Sequence, residues 1–231
     1  MKRVAIVQSN YIPWKGYFDM INSVDEFILL DEVQFTRRDW RNRNRIKTPA
    51  GPVWLTIPVR AKGKYFQTIS ETEVSDPEWA ERHWKTLMAN YGRAPHFSAY
   101  RETLERCYLD CKESHLSLIN RRFLDTICNI LGIATLIVDS ATYSLVEGKT
   151  ERLVSLCAQA GADVYVSGPA AKAYVEEEIF HAAGIMVEYF DYSDYPEYPQ
   201  NHPPFDHAVT VLDLLFHTGS KAAEYMKSFR A

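Results

Sequence analysis

Residues 3–31 read RVAIVQSNYIPWKGYFDMINSVDEFILLD, and the two ends of that stretch decide the fold. RVAIVQ (3–8) and EFILLD (26–31) are short, nearly continuous apolar runs, the pattern of strands buried on both faces. Between them, GYFDMINSV places Phe18, Ile21 and Val24 at helical spacing. Strand, helix and strand in this order make a βαβ unit, whose right-handed crossover sets the two strands parallel. The alternation returns after residue 131, as ATLIVDS, a helix from Lys149 to Ala160, DVYVSG, a helix from Pro169 to Ala183, and IMVEYF. The expected fold is α/β with a mostly parallel, Rossmann-like sheet.

The middle of the chain breaks this rhythm. Residues 32–51 are polar and arginine-rich and read as a loop, and PVWLTIPV resembles a further strand. From 77 to 131 the spacing is helical. Asp76-Pro77 suits a helix start and Gly92 and Gly132 suit helix ends. The expected organisation is an α/β domain of residues 1–76 and 132–231, with a helical insertion over 77–131, forming one compact unit. Trp84, Leu87, Phe123 and Leu124 are expected in that insertion, which would cover the ligand crevice. Residues 191–207 form a proline- and tyrosine-rich loop, followed by a short helix over VTVLDLLFHTG and an amphipathic tail.

The composition narrows the function classes. The chain has 231 residues, 46% hydrophobic and 24% charged, the balance of an ordinary globular protein. A net charge of −4 exerts no general pull toward nucleic acid, so a basic site must be local and no nucleic-acid partner is expected. The opening MKRVAIVQSN holds too short an apolar run for a signal-peptide core. No segment approaches the ~18 apolar residues of a membrane span, and a cytoplasmic location is expected. Cys107, Cys111, Cys128 and Cys157 show no CxxC spacing and read as reduced, packed thiols.

Open parallel sheets bind ligands beyond the carboxyl ends of their strands, at a topological switch point. Gln8, Asn10 and Tyr11 follow the first predicted strand; Asp31 and Gln34 follow the second; Ser167 and Gly168 follow DVYV; Asp191 and Tyr192 follow the last. In the loop after the first strand, Pro13 stiffens the turn and Gly16 permits close backbone approach to a ligand. A helix beginning near Tyr17 would aim its N–H groups at the same crevice, with Trp14 and Tyr17 as walls. Packing of the helix on the sheet explains Phe18 without a ligand.

The densest feature is DEVQFTRRDWRNRNRIK, residues 31–47. Arg37, Arg38, Arg41, Arg43, Arg45 and Lys47 oppose only Asp39 within 36–47. Arginine forks grip phosphate or carboxylate in pairs of bonds, so Arg43 and Arg45 are expected as a clamp, with Trp40, Asn42 and Asn44 beside them. A solvated basic loop is the plainer alternative. SGPAAKAY offers Ser167 or Gly168 as a cap and Pro169 at the first helical turn, an anion-binding helix start or simple capping. Gly148-Lys149-Thr150 resembles the end of a P-loop, but Tyr143 stands where that motif needs glycine. The seven histidines show no metal spacing, HExxH and GxSxG are absent, and no pattern names a cofactor.

QSNYIPWKGYF, DEVQF, WRNRNRI, SGPAAKAY and PPFDHAVTVLDLLFHTG, in this order over essentially the whole chain, resemble the WbqC-like family. The resemblance implies bacterial polysaccharide and O-antigen biosynthesis, with glycine or another aminoacyl group transferred to an amino sugar of a nucleotide-linked sugar. By motif it points to Gln8, Tyr11, Pro13, Trp14, Gly16, Tyr17, Asp31, Gln34, Trp40, Asn42, Arg43, Asn44, Arg45, Ser167, Gly168, Asp213 and Gly219. Ser9 stands where the family commonly has proline, and His207-Ala208 where it often has Leu-Ser. In this reading Asp31 is the general base and Tyr17 or Gln8 steadies the oxyanion. The opening is also similar to pantothenate synthetase-type nucleotidyl-transfer folds, without their HxGH signature. An ATP-dependent nucleotidyl-transfer or ligase-like enzyme and a non-catalytic nucleotide-sugar-binding protein are the competing readings. All three need a small ligand bearing phosphate or carboxylate. Nearby arginines would lower the pKa of Asp31 and burial would raise it; the sequence leaves the balance open.

Overall fold

The computed structural model describes residues 1–229 of the chain. Its elements run β1 (Arg3–Val7), α1 (Lys15–Asn22), β2 (Glu26–Leu29), β3 (Arg43–Thr48), β4 (Gly51–Thr56), α2 (Trp79–Tyr91), α3 (Phe97–Leu109) and α4 (Leu116–Leu131). Then come β5 (Leu136–Asp139), α5 (Thr150–Gln159), β6 (Val164–Ser167), α6 (Glu177–Ala182), β7 (Met186–Tyr189) and α7 (Val211–Thr218). Five strands form one wholly parallel sheet in the order β5-β2-β1-β6-β7. The fold is α/β, as the βαβ opening requires.

Alternation along the strands explains why hydropathy reads them as unbroken apolar runs. Ala5, Phe27, Leu29, Val164 and Val166 face one core with α1, α4 and α7. Val4, Ile6, Ile28, Leu30 and Tyr165 face a second core with α5 and α6. The central residues of β1, β2 and β6 are therefore apolar whichever way they point, and Arg3, Glu26 and Ser167 stand at the strand ends. The strand order reverses between β1 and β6: β2 and β5 lie on one side of β1, and β6 and β7 on the other. The helices change face at the same place. That reversal is a topological switch point, and the register sets Val7 level with Leu29, and Leu29 with Asp139. Gln8, Asp31 and Gly168 thus leave the sheet at the same edge.

Helices α2 and α3 join α1 and α4 in the first core, with Trp84, Leu87, Phe123 and Leu124 buried there. Helix α4 ends at Gly132 in the left-handed region (φ 73°), where a side chain would be strained.

Three local expectations need correction. The arginine run is only partly a loop: Arg43–Thr48 is β3, paired antiparallel with β4 in a separate two-stranded sheet, so PVWLTIPV supplies the partner strand and not a strand of the main sheet. The predicted helix over 169–183 is broken. A 3₁₀ turn spans Pro169–Ala173, and α6 starts only at Glu177. The interruption lets β-branched Val175 pack on the second core. The C-terminal segment folds back onto α1 instead of trailing as a tail. Buried Asp19 accepts from the Lys227 and Ser228 N–H groups (2.8 and 2.7 Å) and from the Tyr195 hydroxyl (2.5 Å).

Candidate functional site

The loop after β1 is fastened from three sides. Tyr11 N–H donates to the Trp40 carbonyl (3.1 Å), and Val211 N–H donates to the Pro13 carbonyl (2.9 Å). Asn44, buried on β3, donates its amide to the Tyr11 and Ile12 carbonyls (3.2 and 3.0 Å). The same strand holds the segment before α7: Thr210 N–H donates to the Arg45 carbonyl (2.9 Å) and Arg45 Nε to the Ala208 carbonyl (2.9 Å). Between these ties lies an open pocket of about 240 Å³, lined by Asn10, Pro13, Trp14, Trp40, Asn44, His207 and Ala208. Two indoles and a proline against a few polar groups are walls suited to a ring-shaped ligand.

Behind Asn10 sits a polar cluster. Arg41, from the loop between β2 and β3, donates to Asn10 Oδ1 and to Gln8 Oε1 (2.6 Å for Gln8), and a carboxylate oxygen of Asp39 is 3.7 Å away. Asp31 follows β2 and is 5% exposed; its Oδ1 accepts from Ser9 N–H (2.9 Å). Asn120 of α4 donates to Ser9 Oγ and to the Arg41 carbonyl (both 2.9 Å), while its buried Oδ1 has no partner among the described residues. Burial pushes the Asp31 carboxyl up to about 6, against the Ser9 hydrogen bonds and the Arg41 charge that pull it down. Desolvation therefore wins the contest that the sequence left open. Asp31 does not line the pocket; Arg41 and Asn10 connect the two.

Several expected site residues serve the frame. Tyr11 is fully buried among Trp79, Phe123 and Tyr108, its hydroxyl 2.9 Å from both His83 Nδ1 and the Tyr108 hydroxyl. Tyr17 is buried and donates its hydroxyl to the Gln8 carbonyl (2.9 Å), so that proton is committed to the loop. Gly16 answers a different need from ligand approach: a Cβ there would lie 2.3 Å from Trp14 Cζ2, so the indole fills the space. Trp14 also packs on Tyr192 and Tyr195, at centroid distances of 5.3 and 5.6 Å. Ser167 turns its hydroxyl to Tyr165 (3.1 Å), toward the second core, and Gly168 precedes a 3₁₀ turn too short to act as a helix N-terminus. Asn42 donates to the Ile57 carbonyl (2.8 Å). Gln34 is exposed and donates to the Tyr65 carbonyl (2.7 Å).

Arg43 and Arg45 share one face of β3. The Arg43 guanidinium sits 4.0 Å from the Trp54 ring centroid and donates to the Arg38 carbonyl; Arg45 lies 5.9 Å from the same ring and pairs with Asp206 at 3.4 Å. Trp54 packs on Trp40 at 5.3 Å, so the two arginines flank the pocket rim as a cation–aromatic ledge.

Arg41, Asn120 and His207 were not singled out as site residues by sequence. Arg41 was one arginine among five. Asn120 sits on an otherwise apolar helix face, and a polar residue on the buried face of α4 was the available signal. His207 lines the pocket with a buried, unpartnered Nδ1 among the described residues; burial, then the Lys15 charge, lower its pKa. Asp213, pointed to by the family resemblance, is a buried hub that accepts from Tyr91, Tyr198 and Gln200 (each 2.8 Å) and holds the 198–206 loop over α7. Among the described residues no group of His, Cys, Asp and Glu could hold a metal ion, and no helix is long and apolar enough to cross a membrane.

A family model of the WbqC-like protein family matches residues 8–225. The chain is 51% identical over 230 residues to the uncharacterized protein Rv1507c of Mycobacterium tuberculosis, a match covering 100% of both chains. No solved structure matches.

Proposed function

The chain belongs to the WbqC-like protein family, and from that membership we propose that it is a transferase of surface-polysaccharide biosynthesis that acylates an amino group on a nucleotide-linked sugar. The observation that carries the reading is Asp31, a buried carboxylate after β2 that is bonded to the loop after β1 and whose pKa burial pushes up to about 6. A base is most effective when its pKa lies close to the working pH. At neutral pH this group is ionised and holds a proton more strongly than an exposed aspartate.

In the proposed reaction the sugar amine attacks the carbonyl carbon of an activated acyl donor. The N–C bond forms, the donor's leaving group departs with its electron pair, and the amine proton passes to Asp31. Trp14 and Trp40 hold the ring portion of the substrate, and Arg43 and Arg45 at the rim take its diphosphate. The one Tyr17 proton is committed to the Gln8 carbonyl, so in this reading Arg41, whose guanidinium carries several donors and a charge, steadies the oxyanion. Asn10, bonded to Arg41, stands between the pocket and Asp31, so in this reading the Asn10 side chain turns aside for the amine to reach the carboxylate.

Titration calorimetry against UDP- and dTDP-sugars, CoA thioesters and aminoacyl donors tests the reading. A nucleotide-sugar should bind, and Arg43→Ala or Arg45→Ala should weaken it by about 1.5–3 kcal/mol, the worth of a charge-assisted bond. With a substrate pair in hand, Asp31→Asn should abolish turnover and leave binding nearly intact. Failure of every nucleotide-sugar to bind would reject the substrate class; full turnover by the Asn variant would remove Asp31 as the base. One observation favours a second reading. Asp31 is tied to Ser9, Asn120 to Ser9 and the Arg41 carbonyl, and the Arg41 guanidinium to Gln8 and Asn10, as in a binding protein that uses the pocket without catalysis. Tight binding with no turnover on any donor would select it.

A further inference from the structure

The two most exposed aromatic residues of the described chain are neighbours. Phe66 is 89% exposed and Tyr65 69%. They sit at the tip of the stretch RAKGKYFQTIS, residues 60–70, which contains no acidic residue. Single exposed apolar side chains are ordinary, but an adjacent pair at a loop tip is a patch with a use.

The tip cannot retreat into the core. Immediately after it Gln67 and Ile69 turn inward, and Phe35 N–H donates to the Gln67 carbonyl (2.9 Å) while Ile69 N–H donates to the Val33 carbonyl (3.0 Å). On the other side Arg37 donates to the Ala61 carbonyl, and its guanidinium lies 5.8 Å from the Tyr65 ring centroid. Lys62 and Lys64 are exposed on the same turn. Of the acids that follow, Glu73 pairs with Arg60 at 3.6 Å, and Glu71, which accepts from Thr68 N–H (2.9 Å), offsets part of the Lys64 charge. The result is two outward aromatics ringed by Arg37, Lys62 and Lys64, fixed on a braced turn.

We propose that this tip docks the protein on an anionic phospholipid surface, with Phe66 and Tyr65 in the headgroup layer and the three cations on lipid phosphates. Aromatic rings favour the membrane–water boundary, and each cation adjacent to an anionic leaflet adds to the attraction. A protein partner would suit two aromatics equally; three cations, of which Glu71 offsets only Lys64 in part, select a surface dense in negative charge. The tip is tied through Gln34 and Arg37 to the segment that continues into Trp40 and Arg41. Docking there would hold the candidate pocket's rim segment near the bilayer.

The test is flotation of the full chain with vesicles of phosphatidylcholine alone and with about one-quarter phosphatidylglycerol. The chain should float with the anionic vesicles and not with the neutral ones, and release as salt rises from about 0.05 to about 0.5 M. Tyr65→Ser with Phe66→Ser, and separately Lys62→Glu with Lys64→Glu, should each lower the bound-to-free ratio at least about tenfold. All four side chains already lie in solvent, and unchanged circular dichroism confirms the fold. Wild type that stays unbound on anionic vesicles at low salt overturns the proposal, as does unaltered binding by either double variant. Sedimentation that shows the serine pair dissolving a self-association, with no vesicle binding by wild type, reassigns the tip to contact between copies. None of these outcomes depends on nucleotide-sugar binding.

Discussion

Asp31→Asn should stabilise the protein above pH 6 and leave its stability unchanged below about pH 4. The Asp31 carboxyl titrates near 6 in the fold and near 3.9 in an unfolded chain. Between those values the folded state binds more protons than the unfolded one, so stability falls as pH rises. Above 6 both states are ionised and the whole cost is present. At about 1.4 kcal/mol per pH unit, that cost is about 3 kcal/mol. Asparagine keeps an oxygen to accept from Ser9 N–H and carries no charge to desolvate. For a chain of this size about 3 kcal/mol corresponds to a rise in Tm of roughly 5–10 °C. Differential scanning fluorimetry at about pH 7.5 and about pH 4 would read it, with the gap between variant and wild type closing at the lower pH. An Asn variant less stable than wild type at pH 7.5 would refute the reasoning. It would mean that the ionised carboxylate, through Arg41, holds the fold together. A group that costs stability in its working ionisation state is expected where function retains it.

Gly16→Ala should expel the Trp14 indole, because the new Cβ falls 2.3 Å from Cζ2; overpacking of this kind costs about 1–3 kcal/mol and should show as a red shift in tryptophan emission. Asn120→Ala should cost about 1–3 kcal/mol in urea denaturation, by leaving Ser9 Oγ and the Arg41 carbonyl without the amide that serves them. Asp213→Ala strands the buried Tyr91 and Tyr198 hydroxyls and should cost about 2–4 kcal/mol. Because hydrogen bonds from His217, Gln200 and Tyr198 outweigh burial and lower the Asp213 pKa, its contribution should be full above about pH 4 and fade as pH falls below that.

What the sequence disclosed follows from how burial is written in it. Strands β1, β2 and β6 are covered on both faces, so apart from Arg3, Glu26 and Ser167 at their ends they are apolar and the runs stand out. Strand β3 is hidden because its buried positions include Asn44 and Lys47. Asn44 is satisfied by backbone carbonyls, and Lys47 Nζ by Gln200 (2.9 Å) and the Pro204 carbonyl. Hydropathy cannot distinguish such a residue from a loop residue. The same blindness hid Asn120. Tyr11 and Gly16 were read as site residues because aromatics and glycines serve packing and binding equally well; only their neighbours tell which. The strand ends that carry Gln8 and Asp31 were legible, since their position follows from parallel pairing. The order β5-β2-β1-β6-β7, which makes the β1–β6 gap the switch point, was not, because nothing local distinguishes one parallel partner from another.

The pairing of β1 with β6 also sets a timetable for synthesis. The central strand leaves the ribosome long before β6, so one of its edges has no partner until residues 164–167 are made, and the pocket beside it lacks a wall until His207 and Ala208 follow. At roughly 5–20 residues per second that edge stays uncovered for roughly 8–32 s. During that interval a strand edge with apolar side chains on both faces is open to pairing with another chain. Yield of soluble protein should therefore depend on chaperone supply and translation speed more than the stability of the finished fold would suggest.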